Sequence, residues 1–220
     1  MQSTLDNMEL NQFGRRLSAI RLISATGKVS PNERHQEDVT TLSIGGVFSL
    51  RGKNYLVQYI AKYLDVQWRD FGRKKTSYWL YEFELVCMET GEICYGEWEK
   101  DDEPIIFFTE GKIEMRTLSF DGERVTRELL NRFADEEDED GYVEYQGKRY
   151  YYNEDATWAA LYFRGDDEEG IPLRIYEFKS DDGENLTVEV WHTDEDRPER
   201  EVFRSVKIHT DEISVIQLQK

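Results

Sequence analysis

Two stretches of this chain repeat one another at a fixed distance, which restricts the fold to something one unit can adopt twice. GGVFSLRGKNYLV begins at Gly45 and DGYVEYQGKRYYY at Asp140, so Gly46 and Gly141, Gly52 and Gly147, Lys53 and Lys148, and Tyr55 and Tyr150 all lie 95 residues apart. Tyr81-Glu82-Phe83 returns at the same spacing as Tyr176-Glu177-Phe178, and Lys112-Ile113 returns as Lys207-Ile208. Between these anchors each half has a Gly-Glu turn, at Gly91 and Gly183. Each then has a tryptophan ahead of an acidic cluster: Trp98 before Asp101, Asp102 and Glu103, and Trp191 before Asp194, Glu195 and Asp196. The tryptophans are 93 apart, a two-residue deletion in the second hairpin.

Each copy reads as strands. Val47 to Leu50 and Tyr55 to Ile60 flank the turn-like Arg51-Gly52-Lys53-Asn54. Trp79, Tyr81, Phe83 and Leu85 alternate with Leu80, Glu82, Glu84 and Val86, the period of a half-buried strand. Ile93 to Trp98, Ile105 to Phe108 and Ile113 to Leu118 complete the first set. The second runs from Tyr142 to Ile216, with Ala156 to Phe163 replacing the basic excursion at Trp68 to Lys75. The expected fold is all-β and mainly antiparallel, two tandem small barrel or roll units with an N-terminal helix and a linker helix. The expected segments are 1–40 for the helix and a polar linker, 41–118 for copy one, 119–140 for the linker helix and an acidic hinge, and 141–220 for copy two. Val125, Leu129 and Phe133 at i, i+4 and i+8 predict the linker helix over 122–134, behind a cap at Asp121.

Charge narrows the partners. A net charge of −18 disfavours nucleic acid, which is held by exchanging counterions for Lys and Arg, and it makes a polycation a natural ligand. Residues 1–28 run against this trend, with Arg15, Arg16, Arg21 and Lys28 beside an apolar rhythm of Leu10, Phe13, Leu17 and Ile20. Such a helix docks on a membrane, on a partner or on its own domain, and Phe13, Arg15, Arg16, Leu17, Ile20 and Arg21 are the residues that would do it. No apolar run is long enough to span a bilayer and no secretory leader is visible, so the expected location is cytoplasmic, at most peripheral to the inner membrane. Cys87 and Cys94 flank a turn and are read as free thiols.

No catalytic motif, cofactor motif or metal-ligand spacing is recognisable, and His35, His192 and His209 lie in separate segments as surface residues. Glu82 and Glu177 sit between aromatics in both copies. They are read either as outward residues demanded by alternation or as a carboxylate pair that grips a ligand or serves as acid and base. The acidic turns after Trp98 and Trp191 read as solvated rather than as calcium loops. In Tyr150-Tyr151-Tyr152 the middle ring must face away from its neighbours, toward the other copy or toward a partner. The candidate partner or ligand residues are therefore Trp79, Tyr81, Glu82, Trp98, Tyr151, Tyr176, Glu177 and Trp191.

The pattern Gly46, Phe48, Leu50, Gly52, Lys53, Tyr55, then Trp79-Leu80-Tyr81-Glu82-Phe83, then GEWEKDDE at 96–103, resembles an uncharacterised bacterial domain family. Its members are often duplicated and carry a tryptophan-glutamate-tyrosine signature on the central strand. The resemblance spans residues 43–216, and copy two departs from it with Arg174 where copy one has Trp79. It implies a partner of phage-shock-type membrane-remodelling proteins, small membrane proteins or polyamine-synthase-like enzymes, and carries no catalytic residue. The expected function is a non-enzymatic adaptor in a membrane-stress system. The alternatives are a polyamine or calcium sensor, and an enzyme using Glu82 or Glu177.

Overall fold

The computed structural model describes residues 11–12, 14–20, 27–28, 38–99, 104–136, 140–192 and 200–218. Among them are fifteen strands: β1 Gly27–Lys28, β2 Val47–Leu50, β3 Lys53–Val66, β4 Trp79–Cys87, β5 Ile93–Glu99, β6 Ile106–Ile113, β7 Ser119–Phe120, β8 Glu123–Arg124, β9 Tyr142–Tyr145, β10 Lys148–Tyr152, β11 Trp158–Arg164, β12 Ile171–Lys179, β13 Asn185–Trp191, β14 Arg200–Ile208 and β15 Ile213–Leu218. Hydrogen-bonded neighbours follow the order β1-β15-β2-β3-β4-β5-β6-β14-β13-β12-β10-β9-β7-β8, and β11 bonds to both β12 and β3. The path from β3 through β6, β14 and β11 therefore closes on eight strands, a mostly antiparallel barrel.

Local structure repeats at the spacing of the sequence. Arg51-Gly52 and Gln146-Gly147 both take positive φ, at 50° and 80° and at 51° and 77°. These are the angles of the two-residue turn that suits paired strands, and glycine takes its second position without a Cβ penalty. Phe48 faces Tyr55 across β2–β3, and Val143 faces Tyr150 across β9–β10, again 95 residues on. Short 3-10 turns follow at Met115–Thr117 and Thr210–Glu212.

The compact units do not follow the tandem boundaries expected from the repeat. The first combines residues up to Ala61 with Tyr81–Phe108 and the segment from Ile208, and the second combines Lys62–Leu80 with Thr109–Lys207. The terminal strands explain part of this interleaving. β15, the end of copy two, pairs with β2 through Ser214 and Ser49, inside the first unit. β7, the end of copy one, pairs with β9 through Ser119 and Glu144, inside the second. Each copy's last strand is thus donated to the first hairpin of the other.

Other boundaries shift for local reasons. Asp121 does not cap a helix: with Gly122 it takes positive φ, 48° and 79°, and turns β7 into β8. The linker helix starts later, at Arg127–Glu136, where the Thr126 hydroxyl accepts the Leu129 amide at 3.2 Å. It buries Leu130 and Phe133 among Val143, Tyr150, Tyr152, Tyr176 and Phe178, the main core of the second unit. β11 occupies the place of the second half of β3, rather than that of the Trp68–Lys75 excursion. Trp68 instead packs against that main core, and Arg174 stacks on it 5.0 Å away. Cys87 and Cys94 are buried free thiols, and the Cys87 amide donates to the Glu92 carbonyl, so Cys87 lies opposite Glu92.

Candidate functional site

The residues singled out on the central strands are mostly spent on packing. In the first unit Trp98 is buried against Phe83, ring centroids 4.1 Å apart, and against Tyr81 at 5.9 Å. Trp98, Phe48, Phe83 and Phe108 border an apolar gap of about 10 Å³, room for no more than one water and not a ligand chamber. Glu82, read as outward or as one of a pair, is buried at 4% exposure. Alternation places it opposite its aromatic neighbours, but Val86 on its own face and Phe83 and Leu85 on the other are buried as well, so β4 is covered on both sides. On β5 half-buried Glu97 has its carboxyl pushed up to about 7 by burial.

The second unit treats its candidates in the same way. Tyr176 is fully buried, donates its hydroxyl to Asn131 Oδ1 at 2.7 Å and meets the Trp68 ring edge-on, and burial pushes its phenol up to about 12. Half-buried Glu177 accepts from Thr187 Oγ1 at 2.9 Å. Trp79 lies against Phe163 under the Lys62 ammonium, and Trp191 meets Tyr162 edge-on. Trp98 and Trp191, aligned as counterparts, thus have different settings. His192, expected at the surface, is half-buried on Phe71, and burial with the nearby Arg174 and Arg127 charges holds its imidazole down at about 4. His209 is exposed, and His35 lies outside the described residues, as do both acidic clusters.

One candidate faces outward. On β10 the side chains alternate, so Tyr150 and Tyr152 enter the core at 1% and 5% exposure while Tyr151 stands out at 36%. Tyr142, its cross-strand partner on β9, brings its ring to 6.2 Å from that of Tyr151. Arg149 lies over the Tyr142 ring at 4.3 Å, where the guanidinium meets the negative face of the π system, and it pairs with Glu144 at 3.1 Å. The Tyr142 hydroxyl donates to Asp121 in the β7–β8 turn, a bond that raises its pKa. Phe120 follows, 5.1 Å from Tyr142, with the Arg132 guanidinium 5.7 Å above it. The row ends in a groove of about 350 Å³ between the β7–β8 hairpin and the start of the linker helix, lined by Phe120, Arg124, Glu128, Leu129 and Arg132.

Only Tyr151 of this face was singled out from the sequence. Tyr142 and Arg149 were legible in principle, because they take the same side of the Gln146-Gly147 hairpin. Phe120 and Arg132 were not, because the expected helix covered the β7–β8 hairpin.

Of the N-terminal helix, residues 14–20 are helical; Phe13 and Arg21 lie outside the described residues. Arg15 and Arg16 are exposed, Leu17 and Ile20 are exposed at 41% and 54%, and the buried contact is Ala19, against Val47 and Leu56 of β2 and β3. Among the described residues no helix is long and apolar enough to cross a membrane, and no group of three or more His, Cys, Asp or Glu is placed to hold a metal ion. No protein-family model, curated protein or solved structure matches the chain.

Proposed function

We propose that this chain is a non-enzymatic interaction protein that presents the tyrosine–arginine face of its second unit to another protein. One observation carries the reading: Tyr142, Tyr151 and Phe120 form a continuous outer row, interleaved with Arg149 and Arg132. Tyr and Arg are the residues that most often dominate binding energy at protein interfaces, because each offers a large rigid surface together with hydrogen-bonding capacity. The resemblance to a bacterial family associated with membrane-remodelling proteins supports a membrane-stress adaptor at the cytoplasmic side.

Photo-cross-linking in the native cell tests this. A benzoylphenylalanine at position 151 is expected to give one discrete protein adduct, and the same group at exposed Tyr59 of the first unit none. Absence of an adduct at 151, or the same adduct from both positions, overturns the reading.

A further inference from the structure

The repeat makes one comparison available inside the chain itself. In the first unit the outer face of the first hairpin is covered: Val47 and Leu56 are 5% and 1% exposed, with Ala19 of the N-terminal helical segment against them. The same segment reaches the β4–β5 turn. A Cβ on Gly91 would lie 2.9 Å from the Gln12 carbonyl oxygen and 3.3 Å from Arg16 Cγ. That turn is acidic, with Glu89 and Glu92 around Gly91, which suits a helix carrying Arg15 and Arg16.

The counterpart face in the second unit has the same construction and a different outcome. Tyr142 and Tyr151 stand 95 residues after Val47 and Leu56, and Tyr151 is 36% exposed. Gly183 occupies the matching hairpin turn between Asp182 and Glu184, and a Cβ built there meets nothing within 4 Å. The acidic rim is kept: Lys148 holds both Asp182 and Glu184, the latter at 2.7 Å, beside exposed Asp181. The aliphatic pair of the covered face has become a pair of rings whose hydroxyls tolerate water, as suits a surface that is sometimes bare.

We propose that the Tyr142–Tyr151 face is the docking site for a basic amphipathic helix of a partner protein, held as the chain's own helical segment is held on Val47 and Leu56. This rests on the reading of the chain as an interaction protein and names the partner's chemistry. The apolar side of that helix covers the two rings, and its basic side meets the Asp181–Glu184 turn. A second copy is a poorer occupant, because its helical segment already lies on its own first unit.

The probe is a synthetic peptide of residues 1–28 with a fluorophore, titrated with the full-length protein and read by fluorescence anisotropy. The chain's own copy of this segment competes at high effective concentration for the first unit, which leaves the second unit as the accessible site. Saturable binding is expected, weakened at least tenfold by Tyr151→Asp and unchanged by Tyr59→Asp, whose side chain is also exposed. A scrambled peptide of the same composition is expected not to bind. Near-UV circular dichroism checks that both variants stay folded, and Tyr151→Phe is expected to retain binding.

No binding to the wild type, binding indifferent to Tyr151→Asp, or equal binding of the scrambled peptide overturns the proposal. So does a dimer in sedimentation that Tyr151→Asp dissociates, since the occupant would then be a second copy. A discrete cross-link at position 151 in cells together with no peptide binding would retain the interaction reading and reject the helix.

Discussion

Glu97 and His192 titrate in opposite senses, and each writes a pH dependence into stability. The Glu97 carboxyl is raised from 4.5 to about 7 by burial, so the folded chain holds that proton after the unfolded chain has lost it. Its contribution is complete below about pH 4.5 and is lost as pH rises through 7. Glu97→Gln should therefore stabilise the protein by roughly 1–3 kcal/mol at pH 8 and change little at pH 4, as read from urea midpoints. The His192 imidazole is lowered from 6.5 to about 4, so stability is full above 6.5 and falls as pH drops toward 4. His192→Phe should flatten that acid limb while Glu97→Gln leaves it in place. Neither group was legible as a titrating residue in the sequence. Alternation tells which face of a strand a side chain takes, and it does not tell whether that face is covered. The same gap made Glu82 read as an outward residue.

Two glycine turns separate backbone strain from helix docking. Gly91 and Gly183 both have positive φ, 75° and 87°, so alanine at either pays a similar conformational cost of about 1 kcal/mol. Only at Gly91 does the added methyl also run into the Gln12 carbonyl and Arg16. Gly91→Ala should thus cost about 1 kcal/mol more than Gly183→Ala and raise amide exchange in residues 14–20, which Gly183→Ala should leave unchanged. Hydrogen–deuterium exchange of both variants checks it. Most strands and both Xaa-Gly hairpins were readable, because turn chemistry and period-two patterning are local properties. The linker helix was misplaced at its start because Asp121-Gly122 serves a turn, and the same Asp before an apolar rhythm also looks like a cap.

The exchange of terminal strands is a property of the whole chain, and no local pattern in the sequence announces it. Leu50 offers the same edge to any strand, and the repeat makes Ser119–Phe120 and Ser214–Val215 equally suitable by composition. Deleting residues 213–220 tests the arrangement. It removes Ile213 and Val215, 4% and 0% exposed, and a loss of about 2–5 kcal/mol per buried aliphatic should unfold the first unit. Amides of β2 are expected to lose exchange protection while those of β12 and β13 keep theirs. Uniform loss, or none, would mean that the two units do not depend on β15 in this way.

Synthesis on the ribosome inherits an unusual order from this arrangement. Every residue of the second unit has been translated by Lys207, yet the first lacks its closing strand until Leu218 is made, so the half that begins the protein is the last to finish. N-terminal domains ordinarily fold first as they emerge. Here β2 must wait with one backbone edge bare, a template for stray pairing and a natural place for a chaperone to hold the nascent chain.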